Sequence, residues 1–492
     1  MYLINPAAHT RRAFLRRSGQ LAMAGTALPF ALNLAAMGEA AAQAAPGDDY
    51  KALVCVFLFG GNDYANTLVN FDADSYTKYS TIRGAIALPS DAALAATELK
   101  PAVSLANGRK YALNPAMTRL TTLFDEGKMA VQLNVGPLIK PLTRAQFNGT
   151  NRKDFPIPPK LFSHNDQQSI WQSSSPEGST IGWGGNLGDL MLSGQRNASL
   201  FTCISVAGNA VFLSGDEALQ YQVGTRGAVR INSVSSATGN VYGSSAVKAA
   251  MQQLAQQARG HTLENEYNKV TLRAVEAEGK ITTAILPDDL NGNFPTSNNL
   301  ADQLKMVARL IRGRTSLGVR RQVFFVSMGG YDLHDDLDTK QGPLMQRLSE
   351  AMFAFQRQME ALGIADKVTA FTASDFGRTL SSNGNGSDHG WGSHHFVVGG
   401  AGAGTGAVKG KAFYGTPPPV SVGNTAADDD QWHVGQGRLL PTTSVDQYAA
   451  TLAKWFGVPD ADLNSILPNL KNFNNITAPS GISYPRDLGF MA

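Results

Sequence analysis

Three near-continuously apolar runs, residues 53–59, 322–328 and 367–374, constrain this chain more than any other feature of it. Each is rich in Val, Phe or both, and each ends in Gly, Ser or Asp. A strand with one wet face alternates apolar and polar residues, whereas a strand covered on both faces is apolar throughout. Residues 129–135, 200–206 and 396–399 read as further, weaker strands, and helical spacing runs through 116–127, 246–278, 299–312, 343–363 and 444–456. Strands alternating with helices predict an α/β fold, a mostly parallel sheet sandwiched by helices.

Composition narrows the class. Charged residues are 16% of the 492, against ~25% in ordinary globular domains, and the chain holds 50 Gly and 23 Pro. That excludes coiled coils and solvated charged tails. The net charge is +3, but residues 1–44 carry Arg11, Arg12, Arg16 and Arg17 against Glu39, so the remainder is close to neutral. A near-neutral chain has no electrostatic footprint for phosphate backbones or anionic lipid, so no nucleic-acid partner is expected. Residues 45–492 are expected to form a single large domain with an insertion around 210–298. There a Ser-, Gly- and Asn-rich stretch (224–245) leads into a helix dense in Ala, Gln and Glu.

The first 44 residues read as an address. Thr10-Arg11-Arg12-Ala13-Phe14-Leu15-Arg16 matches a twin-arginine export signal, a mildly apolar stretch follows at 21–37, and Ala42-Gln43-Ala44 supplies small residues for cleavage. The expected location is the periplasm or beyond, with the twin-arginine translocon as partner during export. The apolar stretch is interrupted by Gly25, Pro29 and Asn33, and no other segment is apolar and long enough to span a bilayer. Cys55 and Cys203, the only cysteines, exclude a cysteine-rich metal site; they read as buried thiols or one disulfide.

Ligands of open α/β sheets bind outside the carboxyl ends of the strands. The three strong runs lead there into Gly60-Gly61-Asn62-Asp63, Gly330-Tyr331-Asp332-Leu333-His334 and Ser374-Asp375-Phe376-Gly377-Arg378-Thr379. Four of the chain's eight histidines (His334, His389, His394, His395) fall between residues 334 and 395, interleaved with Asp332 and Asp388. Imidazole and carboxylate together suit zinc or manganese, and carboxylates alone suit magnesium or calcium.

These residues resemble a known family. Phe59-Gly-Gly-Asn-Asp63, Ser163-His164 with Trp171 seven residues on, Gly-Gly-Tyr-Asp332-Leu-His334, Ser374-Asp-Phe-Gly-Arg-Thr379 and Asp388-His-Gly-Trp391 are similar to the exported bacterial family catalogued as domain of unknown function 1501. That family is grouped with the alkaline phosphatase and sulfatase superfamily. The resemblance implies an alkaline-phosphatase-like fold and a two-metal site hydrolysing a small phosphate or sulfate ester. Divalent metal ions, zinc first, with manganese, magnesium or calcium as alternatives, would be held by Asp63, Asp332, His334, Asp375, Asp388 and His389. Asp375 and the pair Asp388-His389 compete for one role. Ser163 is the candidate nucleophile and equally the start of a Ser-x-x-Asp capping box with Asp166, with Thr67 as runner-up. Arg378 would fork onto an oxyanion or pair with a nearby aspartate. Asn62, His164 and His394 complete the set as substrate-binding residues. The alternative is a non-catalytic exported binding or assembly protein that keeps the fold.

Overall fold

The structure, a computed structural model, describes residues 49–193, 199–235, 239–287, 289–290, 294–401, 407–477 and 481–492; the expected export signal lies outside them. Its centre is a ten-stranded sheet: β1 (Lys51–Leu58), β2 (Met129–Gly136), β3 (Cys203–Ser205), β4 (Tyr221–Gly224), β5 (Gly227–Ala228), β6 (Arg321–Met328), β7 (Val368–Ser374), β8 (Ser393–Gly399), β9 (Ala412–Tyr414) and β10 (Thr443–Ser444). The order is β9-β2-β8-β7-β1-β6-β3-β4-β5, with β10 also on β2. Only β8 and β5 run against their neighbours. This is the α/β, mostly parallel sheet that the apolar runs predict.

Among the helices are α1 (Ala73–Arg83), α2 (His164–Ser173), α3 (Trp183–Ser193), α4 (Ser245–Gln256), α5 (Thr262–Ala284), α6 (Asn299–Arg312), α7 (Leu337–Ala361) and α8 (Val445–Phe456). Strand alternation divides the core into two layers. Val54, Val56 and Leu58 of β1 share one cluster with Leu304 of α6 and Leu348 and Met352 of α7. Leu53, Cys55 and Phe57 share the other with Leu187 of α3 and Tyr448 and Leu452 of α8. Both faces of β1 are therefore dry, which is why its sequence shows no alternation. Cys55 and Cys203 are free buried thiols on strands flanking β6.

Two helical expectations shift. The stretch 246–278 is two helices, because Arg259 N donates to Asn265 Oδ1 and the His261 side chain caps Leu263 N, closing a turn where one long helix was read. Pro343, expected at a helix start, lies inside α7. No helix among the described residues is long and apolar enough to cross a membrane.

Asp446, in the first turn of α8, is buried, and desolvation raises its pKa to about 6 despite donors from Asn469 N (3.0 Å) and Ser174 (3.4 Å). A carboxyl whose folded pKa exceeds its unfolded value of ~3.9 favours the folded state while protonated and loses that contribution as pH rises to about 6. The parent should therefore lose about 2–3 kcal/mol more than Asp446→Asn between pH 4 and pH 7, measured by denaturant unfolding. Parallel pH profiles for the two proteins would contradict this.

Candidate metal centre

Register brings the candidate loops together. Leu58 lies opposite both Ser374 and Met328, so β1, β6 and β7 end level and their loops leave side by side. They then interlock. Gly60 N donates to Asp375 Oδ2 (3.1 Å), Asn62 N to Ser374 Oγ (2.9 Å) and Tyr331 N to Phe59 O (3.2 Å). Gly60 has φ +117°, and a Cβ there would lie 2.3 Å from Asp332 N, so only glycine lets the first loop approach Asp332. Gly386 does the same for the His389 loop, where a Cβ would meet the His334 carbonyl at 2.3 Å.

On this edge three imidazoles surround one carboxylate. His164 Nε2 is 3.4 Å from Asp332 Oδ2, while His334 Nε2 and His389 Nε2 are 3.1 Å and 3.2 Å from Asp332 Oδ1 and 3.0 Å from each other. The ligand atoms of His164, Asp332 and His389 all lie within 4.8 Å of one another. Each ring turns its other nitrogen to an oxygen. His164 Nδ1 is 2.6 Å from Asp375 Oδ2, His389 Nδ1 2.8 Å from Phe162 O, and His334 Nδ1 3.3 Å from Asp388 Oδ1. Metal-bound histidines are oriented in this way, with Nδ1–H on an acceptor and the Nε2 lone pair on the ion. Phe376 stacks against His164 and His389 at 4.9 and 4.7 Å and forms one wall.

Protonation sharpens the point. Phe162 O can only accept, so His389 Nδ1 carries the proton, and burial lowers the His389 pKa and keeps the ring neutral. Its Nε2 is then a lone pair facing a carboxylate oxygen at 3.2 Å. Two acceptors at that distance repel unless a cation or proton lies between them. The hydrogen bond to Asp375 is the main reason the His164 pKa stands above the ordinary imidazole value. Burial opposes ionisation of Asp332, yet the hydrogen bond and charge of Arg378, with His164 and His334, carry it below the usual carboxylate range. His164 Nε2 and Asp375 Oδ1 are buried without a hydrogen-bond partner. The donor set and the orphaned His164 Nε2 fit a divalent ion of the zinc or manganese type.

The remaining candidates are placed elsewhere. Asp63 does not face the imidazoles: Oδ1 accepts from Asn66 N (2.9 Å), and Oδ2 from Arg83 (2.9 Å) and Ser387 Oγ (2.7 Å), all buried. Both of its oxygens are satisfied by protein donors. Arg378 is fully buried and spends its guanidinium on Ser387, Gly60 O (3.1 Å) and Asp332 Oδ1 (2.9 Å), so it braces Asp332 rather than presenting an open fork. Ser163 donates to Asp166 Oδ2 (2.9 Å) and makes no side-chain cap. Thr67 is buried and donates to Asp63 O (2.7 Å), and Asn62 accepts from it (3.0 Å). His394 packs its ring against Tyr64 and Tyr111, with Nδ1 accepting from Asn134 N (3.0 Å) and its pKa lowered by burial to about 3. It is a core histidine within β8, where the resemblance implies a substrate-binding role.

Asp375 and Asp388 stand behind the rings rather than beside the Nε2 atoms. Sequence reasoning did not find Arg83, Ser387 or Gln168, whose Nε2 donates to Asp375 Oδ2 (2.9 Å), because none sits in a motif.

Among curated proteins, no sequence matches this chain significantly. Among solved structures, the chain is similar to Ps i-CgsB (TM-score 0.35, 9% identity, 86% of this chain and 77% of that one). It is also similar to the lipoteichoic acid synthase LtaP from Listeria monocytogenes (TM-score 0.32, 9% identity, 89% and 78%). Overlaps this loose carry no argument about chemistry. Sequence is decisive where those overlaps are not: the family described as "Protein of unknown function (DUF1501)" matches residues 50–436, and the chain belongs to it.

Proposed function

We propose that this protein is an exported, metal-dependent hydrolase of phosphate or sulfate esters. The convergence of the His164, Asp332 and His389 ligand atoms within 4.8 Å, with the buried His164 Nε2 left without a hydrogen-bond partner, carries the reading, because a cation there would satisfy all three. His164, Asp332 and His389 would hold the ion, with His334 at its side. When bound, a divalent metal supplies Lewis acidity toward an ester oxyanion and makes water more acidic. Among the described residues one such three-ligand group is present, which supports one metal rather than the two the family resemblance implies.

The rest is done by the chain. Asp375 and Phe162 O hold protons on Nδ1 of His164 and His389 and so aim both Nε2 atoms. Arg378 fixes Asp332 and offsets its charge, and Phe376 keeps water from one side of the rings. Asp332 is 45% exposed, which leaves a face open to a substrate. Water serves as nucleophile in this reading; Thr67 is fully buried on a backbone carbonyl, and Ser163, whose hydroxyl donates to Asp166 at 2.9 Å, is the competing group. The twin-arginine motif supports export to the periplasm or beyond.

Protein purified without chelator should contain bound metal and hydrolyse an aryl phosphate, an aryl sulfate or a phosphodiester. His389→Ala should lose metal and turnover together. Full metal occupancy with no turnover on any of the three would favour the exported binding-protein alternative.

A further inference from the structure

Among the described residues, ten of the thirteen exposed large hydrophobic side chains fall between Val229 and Leu286. Patches of this kind on a folded surface mark contact sites. The densest part is the helical hairpin of α4 and α5. In α5, Leu263, Tyr267, Val270, Ala274, Ala277 and Ile281 recur at alternating spacings of four and three, one heptad seam. Its C-terminal end is core, with Ala277 and Ile281 at 1% and 0% exposure. Its N-terminal end projects the same seam into solvent, with Leu263 and Tyr267 at 72% and Val270 at 55%. On α4, Val247, Met251 and Leu254 repeat the helical spacing and are exposed too.

We infer that a second copy of this chain covers this face, pairing α5 with α5 antiparallel across a two-fold axis. The argument is charge complementarity. Glu266 and Arg273 are one heptad apart on the same flank of the seam, and in an antiparallel pair the same flanks of the two helices meet. With Tyr267 layered on Val270 of the second copy and Leu263 on Ala274, Glu266 of each helix faces Arg273 of the other. One acid and one base per helix thus form two reciprocal pairs, as a self-complementary interface requires. A parallel pair does not offer this, since the matching flank residue for Arg273 would be Glu278, which is buried and holds Arg230 (3.0 Å). Glu266 now pairs within its own helix to Lys269 (2.6 Å), an exposed partner it can exchange.

Sedimentation or light scattering across a concentration series should give twice the mass of one chain, which is 52.3 kDa with residues 1–44 attached and correspondingly less once they are cleaved. Tyr267→Glu should halve the measured mass and leave the circular dichroism spectrum unchanged, because the side chain it replaces is exposed. Glu266→Arg and Arg273→Glu should each weaken the dimer, and the two together should restore it. A parent that stays monomeric, whether residues 21–37 or a foreign partner covers the face, overturns the inference. So does a double swap that fails to restore association.

Discussion

Asp63→Ala is expected to cost about 3–5 kcal/mol of folding stability, measured on metal-stripped protein. The Asp63 and Arg83 side chains are 1% and 0% exposed and 2.9 Å apart. Arg83 has otherwise only the Thr379 and Leu380 carbonyls, both at 3.3 Å, and its Nε is buried without a partner. Removing the carboxylate leaves a guanidinium charge in the interior, and removing one partner of a buried pair is far more damaging than replacing both by apolar groups. The variant also loses the acceptor for Asn66 N. Asp63→Ala/Arg83→Met should therefore recover much of the loss. If Asp63 were a metal ligand instead, stripped parent and stripped variant would unfold alike, and the difference would appear only when metal is added.

That contrast shows where the sequence is legible and where it is not. The apolar runs of β1, β6 and β7 disclose both dry faces and the edge at which the strands end. Which acid on that edge points outward is another matter. Asp63 and Asp332 each follow a Gly-Gly turn, and the two cannot be told apart locally. The difference is made by Arg83, at the far end of α1, which turns Asp63 inward, and by Arg378, which holds Asp332 at the surface. Histidines divide by strand against loop, a division hidden while the strand is read as 396–399, because β8 begins at Ser393. His394 and His395 lie within an apolar strand, so alternation sends one ring toward Tyr64 and Tyr111 and the other toward Trp171 and Tyr448. His334 and His389 lie in glycine-rich loops and reach the edge. The carboxylate near His164 in sequence, Asp166, accepts from Ser163 instead; the partner of His164, Asp375, is 211 residues away, and only the sheet brings them together.

The His164–Asp375 pair yields the sharpest test of the metal centre. Asp375 is fully buried, and its Oδ2 takes three donors: His164 Nδ1 at 2.6 Å, Gln168 Nε2 at 2.9 Å and Gly60 N at 3.1 Å. In Asp375→Asn the shape is kept but the negative charge that favours Nδ1–H on His164 is gone. The new amide group must also fit at the buried former Oδ1 position or displace the donors that meet Oδ2. His164 then loses its fixed tautomer and orientation, and changes of this kind behind a metal-bound histidine cost roughly 10–100-fold in affinity. A chelator-competition titration with zinc should read that loss for Asp375→Asn and a larger one for His389→Ala, which deletes a ligand outright. Asp388→Asn should do less than Asp375→Asn, because His334 Nδ1 is 3.3 Å from Asp388 against 2.6 Å for the buried pair. Zinc bound by Asp375→Asn with the parent's affinity would show that His164 is not a ligand, and the centre would reduce to the rings of His334 and His389 with Asp332.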